Sequence, residues 1–300
     1  MATRSRGPLA GFGWLRKAIN LGHGNPKAVF GGAALVLVMA LLPSLVTLPL
    51  QMSAVEPGGA PDMAKLGAVM AISMLGGLLL VPLFAGFLRV IDAADRGRPA
   101  SAFDVFKPYR QGETLRLVGY GLAMLLVYAV MFAVVVAVAG GELARWYMQV
   151  LATQGQGTSP ALPEGFGLGI ATMGVLGLLV MGIYAISLGQ VALGGRSVLG
   201  AIGDGVVGSL KNVLPLLVFA VCVVLAWLVV AIVFGLLFGL LALLGALVSK
   251  WLVLVLVVPL YIALLLGVFV VMFGVMYHLW RDVCGDDAAP APGLDDALAA

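Results

Sequence analysis

The chain has 300 residues, of which 62% are hydrophobic and 10% charged, whereas about 25% of residues are charged in ordinary globular proteins. Its formal charge at pH 7 is +3, from 17 Lys and Arg against 14 Asp and Glu. This composition excludes a soluble globular protein, and so small a positive surplus gives no support to nucleic-acid binding. Several apolar runs exceed the roughly 18 residues that indicate a membrane span. The sequence therefore predicts an all-α, polytopic transmembrane helical bundle.

Six apolar runs predict six membrane-spanning helices. The first run, 28–50, follows Asn25 and Pro26, a good helix N-cap residue and the residue best tolerated at a helix's first position. The other spans are predicted at 66–88, 117–139 and 166–193, and on either side of Ser249–Lys250 within 213–277. Within these bounds the spans contain no Asp, Glu, Lys, Arg or His, the groups on which proton relays and ion-coupled carriers usually depend. Proton-coupled transport is therefore disfavoured.

The longest apolar run leaves two alternatives open. An uninterrupted helix over 213–248 would be about 54 Å long, well beyond the roughly 30 Å hydrocarbon core. Gly235, Gly239 and Gly245 are candidate break points within it. The segment 236–248 is therefore either re-entrant or interfacial, or it is part of one long tilted helix.

The distribution of basic residues predicts the orientation in the membrane. With the N-terminus in the cytoplasm, only Lys65, Arg145 and Lys250 of the 17 Lys and Arg residues lie outside, which follows the positive-inside rule. Both termini are then cytoplasmic. The predicted organisation is a cytoplasmic N-terminus with an interfacial helix (1–27), a six-span transmembrane domain (28–283) and a disordered acidic cytoplasmic tail (284–300).

Short amphipathic segments precede each outward-going span. They are predicted at 13–25, 102–111 and 196–212. In the first, Leu15 and Ile19 share one helical face while Arg16 lies on another, as in a helix on the membrane surface. Each segment is followed by a span and its return, which indicates three hairpin repeats, although any amphipathic linker before a span has a similar pattern. Six glycines in 194–208 weaken the third helix by about 1 kcal/mol each relative to Ala.

A group of basic residues beside the spans is a candidate site for anionic lipid headgroups. We call this group the basic collar: Arg16, Lys17, Arg89, Lys107, Arg110 and Arg116, with Arg281 after the last span. Each basic side chain near an anionic surface attracts lipid by about 1 kcal/mol. Positive-inside bias explains the same residues, and Asp92 has the spacing to pair with both Arg89 and Arg96.

Polar side chains inside the spans are candidates for a groove that accepts a neutral or lipid-type substrate. They are Tyr128, Tyr184, Gln190, Trp227 and Tyr261. Pro82, Pro215 and Pro259 would supply kinked helices around such a groove. Close packing between helices explains the same residues, because isolated polar groups also hydrogen-bond across helix contacts.

The sequence gives little support to catalysis. His23 and His278 lie near opposite ends of the chain, and there is no HExxH motif, metal-ligand spacing, nucleophile elbow or phosphate-binding Gly-Lys motif. We therefore expect a non-enzymatic protein without catalytic residues, cofactor or metal. The leading hypothesis is an inner-membrane protein that organises membrane lipids or partner proteins, including further copies of itself. The alternative is a channel or transporter for a neutral or lipid-type substrate.

Four short motifs resemble a known family. They are GWLRK at 13–17, GNP at 24–26, RVIDAADRGR at 89–98 and YHLWRDV at 277–283. Together they resemble a family of uncharacterised six-span inner-membrane proteins of proteobacteria, over residues 10–285. More distantly, the chain is similar to the membrane region fused to some glycerophosphodiester phosphodiesterases. The resemblance implies a bacterial inner membrane and a helical bundle, but it does not imply the phosphodiesterase activity, because that catalytic domain is absent here.

Overall fold

The computed structural model describes residues 3–21, 24–54, 62–153, 160–247 and 250–285. These residues form α-helices and one 3₁₀ helix, without a β-strand among them, which confirms the predicted all-α class. The helices are α1 (Ala10–Ile19), α2 (Pro26–Ala54), α3 (Met63–Asp95), the 3₁₀ helix (Ala102–Phe106), α4 (Lys107–Arg110), α5 (Thr114–Ala139), α6 (Glu142–Ala152), α7 (Phe166–Ala192), α8 (Val198–Lys211), α9 (Val213–Leu247) and α10 (Lys250–Cys284).

The six predicted spans correspond to α2, α3, α5, α7, α9 and α10, each long and apolar enough to cross a membrane. The chain is therefore a multi-pass membrane protein with a six-span helical bundle. Some helices extend beyond the uncharged cores predicted from sequence. α3 continues to Asp95 and α10 continues to Cys284, so each carries charged residues in its last turns.

α9 decides between the alternatives for the longest apolar run. It is one continuous α-helix from Val213 to Leu247, and Gly235, Gly239 and Gly245 lie inside it. A re-entrant segment beginning at residue 236 is therefore wrong for the described part of this run. Glycine lowers helix stability without breaking the hydrogen-bond ladder, and within a bilayer the backbone has no water with which to replace that ladder.

The predicted order of a short segment followed by a two-helix hairpin occurs in three units. α1 precedes α2 and α3, the 102–110 segment precedes α5 and α7, and α8 precedes α9 and α10. We call α1, the 102–110 segment and α8 the interfacial segments, and the end of the bundle where they lie the interfacial end. The expected weakness of α8 stays a prediction. In the structure α8 is a continuous helix, and Gly205 and Gly208 let it pack closely against Ile183 and Ile186 of α7.

Each interfacial segment packs against the hairpin that comes before it around the bundle. The 102–110 segment contacts α2 and α3, and α8 contacts α5 and α7. α1 has no preceding hairpin in the sequence, and it packs instead against α9 and α10 at the other end of the chain. The backbone N–H of Arg4 donates to the Val283 carbonyl at 3.0 Å, so a hydrogen bond joins the N-terminal segment to the last turn of α10. The arrangement is thus a closed ring of three units.

The second helix of each hairpin lies towards the centre of this ring. α3, α7 and α10 contact one another, and Phe87 of α3 lies 5.6 Å from Phe269 and 5.2 Å from Phe273 of α10, measured between ring centroids. On the other side, a Cβ at Gly189 of α7 would overlap the Trp280 ring of α10. Aromatic rings packed on helix backbone therefore hold the central helices together.

Burial is concentrated at the interfacial end. We call the following parts of the spans the packed half: 28–36, 78–94, 117–124, 180–192, 215–219 and 270–284. The rest of the six spans, which we call the open half, is mostly half-buried or exposed in the chain alone. Lipid or another membrane protein must cover this apolar surface in the bilayer.

Some residues that the sequence analysis names lie outside the part of the chain that the structure describes. The predicted disordered tail lies outside the described residues beyond Gly285, and so does His23. The prediction of a disordered tail stays untested.

Candidate functional site

Asp92 is the centre of a charged cluster near the end of α3. Its buried carboxylate pairs with Arg96 at 2.7 Å and with Arg98, and it accepts a hydrogen bond from the Tyr277 hydroxyl of α10 at 3.1 Å. The predicted Asp92–Arg96 pair is confirmed, and its hydrogen bond raises the pKa of the Arg96 guanidinium. Three donors thus compensate the burial of one carboxylate and tie α3 to α10.

Arg89 makes a different contact from the one expected. It pairs at 2.7 Å with Glu113, just before α5, and its Nε donates to the Ala192 carbonyl at the end of α7 at 3.0 Å. The expected contact with Asp92 is wrong, because the Asp92 oxygens are already satisfied by Arg96, Arg98 and Tyr277. The Arg89 guanidinium lowers the pKa of the Glu113 carboxyl.

A second polar cluster joins α7 to α8. Gln190, which is fully buried, donates from Nε2 to the Asp204 carboxylate at 2.8 Å, and Arg196 pairs with the same carboxylate at 2.9 Å. The Trp280 indole N–H donates to Gln190 Oε1 at 3.4 Å. Every polar atom of the Gln190 side chain thus has a protein partner, so this residue links helices and is not directed at an open groove.

A cavity of about 930 Å³ opens at the interfacial end, between α1 and the last turns of α3 and α10. We call it the basic cavity. Its charged lining residues are the cations Arg6, Arg16, Lys17 and Arg281 and the carboxylates Asp95 and Asp282, and His278 and Asn20 also line it. Four cations face two carboxylates, so the lining carries a positive excess.

The two carboxylates of the basic cavity are well supplied with donors. Asp282 accepts from the Trp14 indole N–H at 2.8 Å and lies 3.7 Å from Lys17 Nζ. Asp95 pairs with Arg281, and its Oδ2 lies 3.1 Å from the Tyr277 hydroxyl, whose single hydrogen it shares with Asp92. Because Trp14 and Tyr277 donate without adding charge, the carboxylates do not need all four cations. Among the described residues, Arg16 pairs with no carboxylate and remains exposed.

A second polar cavity, of about 700 Å³, lies beside the end of α3 and is more nearly neutral. Its charged lining residues are Arg89, Arg98 and Lys107 with Asp92 and Asp104. Lys107 lies 3.0 Å from Asp104, and the arginines are paired as described above. This cavity therefore offers an anion less free positive charge than the basic cavity does.

The structure divides the basic collar into paired and free cations. Arg16 and Lys17 line the basic cavity, whereas Arg89 and Lys107 are held in ion pairs at the second one. Arg116 donates to the Val191 carbonyl at the end of α7. Arg110 is exposed and, within the described chain, has no carboxylate partner. The free members of the collar are thus Arg16 and Arg110.

Two apolar cavities lie deeper in the bundle. The outer apolar cavity, of about 510 Å³, runs between α9 and α10 below Leu15 and Ile19 of α1. The inner apolar cavity, of about 370 Å³, lies among the central helices. Phe219, Met272 and Val275 line both cavities, so these three side chains form the wall between them.

The five groove candidates do not meet in one cavity. Tyr128 and Tyr184 line the inner apolar cavity, and Trp227 lines the outer one. Gln190 belongs to the α7–α8 polar cluster, and Tyr261 is exposed on α10 and lines neither apolar cavity. The residues are therefore distributed over two adjacent apolar spaces, a polar cluster and the lipid-facing surface.

Sequence reasoning identified only part of the basic cavity. It singled out Arg16 and Lys17, but it did not group them with Arg6, and it considered His278 only as one of two histidines near opposite ends of the chain. These residues come from opposite ends of the chain and meet only because α1 packs on α10. No local motif indicates that contact. The one sequence signal is the Trp14 beside Arg16, since a buried indole N–H requires a distant acceptor, here Asp282.

Comparison with known proteins finds no matching protein family, no similar curated protein and no similar solved structure. The resemblance to a family of six-span inner-membrane proteins thus stays a prediction. The function has to be argued from the geometry of this chain.

Proposed function

We propose that this protein is a non-enzymatic bacterial inner-membrane protein that organises anionic lipids at its interfacial end, with both termini in the cytoplasm. The observation that carries the proposal is the positive excess of the basic cavity beside an amphipathic surface helix. The 17 Lys and Arg residues are concentrated at the interfacial end, in agreement with the positive-inside rule.

α1 has the two faces that such a role requires. Trp14 and Ala18 are buried against α9 and α10 and fix the helix on the bundle. Phe12 and Ile19 are 51% and 63% exposed on one flank, where acyl chains can cover them. Lys17 is exposed on the flank of the basic cavity, and Arg16, one helical turn from both Phe12 and Ile19, is exposed between the two flanks. Both cations can attract anionic headgroups. This helix therefore lies where a lipid headgroup meets the acyl-chain layer.

The proposal is tested by reversing the two free cations of the collar. We expect the double variant Arg16→Glu, Arg110→Glu to copurify several-fold less phosphatidylglycerol or cardiolipin, because each reversal replaces attraction with repulsion. The matched control reverses Lys65 and Arg145 at the other end of the bundle, and it should keep its lipid content. Lipid analysis of the detergent-purified proteins measures the lipid content of the double variant and of the control. Equal lipid content in the collar variant and the wild type would remove the proposal.

The proposed orientation has its own test. A cysteine placed at the exposed Arg110, in a chain whose Cys222 and Cys284 are serines, should react with a membrane-impermeant maleimide only after the membrane is opened. A cysteine at the exposed Arg145 should react in intact spheroplasts. The reverse pattern would overturn the assignment of the interfacial end to the cytoplasm.

A second candidate function is passage of a lipid-type molecule through the bundle, favoured by the shared wall of the two apolar cavities. Gly267 of α10 lines the outer cavity, and a Cβ there would meet no atom within 4 Å. Gly267→Leu should therefore fill the cavity without disturbing the fold and abolish flux of a fluorescent lipid in reconstituted vesicles. Gly235→Leu, with similar free space on α9, is the matched control. Lack of flux in the wild-type protein would exclude this candidate.

A further inference from the structure

We propose that the basic cavity binds the phosphate group of an anionic lipid headgroup as a defined site, and not merely as part of a diffuse positive surface. This inference rests on the proposed function and names the ligand class and the residues that hold it. The ligand is a phosphate oxyanion whose lipid tail remains in the bilayer beside α1. The residues are Arg6, Arg16, Lys17, His278 and Arg281.

The cations of the cavity come from three separate parts of the chain and converge on one space. Arg6 belongs to the N-terminal segment, where its Nε donates to the Asp282 carbonyl at 2.8 Å, which fixes the guanidinium at the cavity wall. Arg16 lies on α1 and, among the described residues, has no acidic partner. Arg281 lies on α10 and is held by Asp95. Other contacts thus position the guanidinium groups of Arg6 and Arg281, while that of Arg16 is free. Guanidinium groups recognise phosphate oxygens in a bidentate manner, so this arrangement suits a phosphate ligand.

The local negative charges do not cancel these cations. Asp95 and Asp282 each accept from a neutral donor as well as from a cation, as described above. α1, α3 and α10 end at the cavity, and each helix C-terminus contributes roughly half a negative charge. Four cations still exceed the combined charge of two carboxylates and three helix ends. A bound phosphate would neutralise that excess.

His278 supplies an unsatisfied polar atom at the same place. Its residue exposure is 5%, it lines the basic cavity, and its Nε2 has no hydrogen-bond partner among the described residues. A buried polar atom without a partner is unfavourable, so a native structure normally provides one. Nε2 itself is buried, and a turn of the His278 side chain towards the cavity would let this ring nitrogen donate to a phosphate oxygen. His278 is therefore a donor at the cavity wall in addition to the four cations.

The surroundings favour a lipid phosphate over free phosphate. The cavity opens along the polar flank of α1, whose other flank exposes Phe12 and Ile19 to the acyl-chain layer. A headgroup would therefore enter the cavity at the depth where phospholipid phosphates lie. Inorganic phosphate lacks the tail that would keep it there, so its occupancy should be far lower.

The test compares single variants of the full-length protein. The protein is reconstituted in nanodiscs of phosphatidylcholine, and its binding of added short-chain phosphatidylglycerol is measured by titration. The titration is done for the wild type, Arg16→Ala, Arg110→Ala and Arg145→Ala. We expect Arg16→Ala to weaken binding about fivefold, from the typical contribution of one basic side chain. Because Arg16 is exposed and unpaired within the described chain, its loss should leave folding unchanged. His278→Gln, which keeps a hydrogen-bond donor, should retain binding better than His278→Phe.

Each outcome separates the site from the general collar. Equal losses in Arg16→Ala and Arg110→Ala would overturn the defined site while keeping the proposed lipid-organising function. No loss in either variant would overturn both. Inorganic phosphate is titrated in nanodiscs without anionic lipid, and binding as tight as that of phosphatidylglycerol, with the same dependence on Arg16, would overturn the assignment to a lipid. A larger loss in Arg16→Ala, with weak phosphate binding, supports the defined site.

Discussion

The packed half and the open half of the bundle are built from the same kinds of residue, yet burial is concentrated in the packed half. Gly86 and Gly77 both lie on α3. A Cβ at Gly86 would overlap the Val105 carbonyl of the 3₁₀ helix, whereas a Cβ at Gly77 would meet no atom within 4 Å. The difference teaches that apolar composition decides insertion into the bilayer, while close backbone contacts and polar clusters decide where helices associate.

The interfacial segments explain why packing is confined to one half. They contribute the polar groups that join different hairpins, such as Asp204 of α8 with Gln190 of α7, and Trp14 of α1 with Asp282 of α10. Such bonds have a fixed geometry that acyl chains cannot replace. In the open half, by contrast, lipid tails can cover the exposed leucines and valines as well as another helix could.

The largest expected effect comes from filling the close contact of the packed half. Gly86→Ala should destabilise the protein by about 1–3 kcal/mol, because the new methyl group collides with backbone that cannot rotate away. Gly77→Ala, on the same helix, should be neutral or stabilising by up to about 1 kcal/mol through helix propensity. The stability of both variants is measured by thermal unfolding in detergent, monitored by size-exclusion chromatography. Equal effects would show that the packed half is no tighter than the open half.

Removing the buried carboxylate of the Asp92 cluster should have the next largest effect. Asp92→Asn loses its charge-assisted bonds to Arg96 and Arg98, and we expect a loss of about 2 kcal/mol. The loss stays below that of a fully buried ion pair because both arginines can turn to solvent. The control is Glu142→Gln, whose exposed pair with Arg145 lies at the distal end and should contribute under about 1 kcal/mol. A control as damaging as Asp92→Asn would contradict the comparison.

Two tyrosines of α5 give a finer test. Tyr120 is fully buried, and its hydroxyl lies 2.8 Å from Ser187 Oγ and 3.3 Å from the Tyr184 carbonyl. Tyr120→Phe should therefore cost about 1 kcal/mol. Tyr128 is 40% exposed, and Tyr128→Phe should change stability much less. The midpoints of thermal unfolding in the same detergent show which variant is destabilised more. A larger loss in Tyr128→Phe than in Tyr120→Phe would mean that the open half contributes the stronger hydrogen bonds.

The sequence predicts the spans well because insertion depends on summed hydrophobicity, which is a local property. The uninterrupted runs around Leu41 and Leu228 therefore indicate helices without any knowledge of their neighbours. The pairing of Asp92 with Arg96 is also local, since it follows from the helical repeat alone. Both predictions are confirmed.

The candidate site was harder to predict because it depends on contacts between distant parts of the chain. Arg6 and Arg281 meet at the basic cavity only through the packing of α1 on α10, for which the sequence carries no periodic signal. The same limit applies to Arg89, whose partner Glu113 belongs to the next hairpin. Gln190 likewise has the composition of a groove residue, but its bonds to Asp204 and Trp280 make it a link between helices.

The smallest expected effect is a dependence of stability on pH that comes from the Arg89–Glu113 ion pair. Arg89 belongs to the packed half. Arg89 lowers the pKa of Glu113 in the folded protein, so the pair stabilises the fold fully above the ordinary pKa of a glutamate. As the pH falls below that value the stabilisation decreases, and it is lost once the pH passes the lowered pKa. Because both side chains are partly exposed, we expect a contribution of about 0.5 kcal/mol.

Glu113→Gln isolates this contribution. The variant should unfold at a slightly lower temperature than the wild type at neutral pH, and the difference should disappear in acid, where the wild-type carboxyl is protonated as well. Asp62→Asn is the distal counterpart, because the backbone N–H of Lys65 lowers the pKa of Asp62 at the start of α3. Its cap holds one helix end only, whereas Arg89 also bonds the end of α7. If only Asp62→Asn showed a pH-dependent loss of stability, the acid-sensitive contact would lie in the open half and not in the packed half.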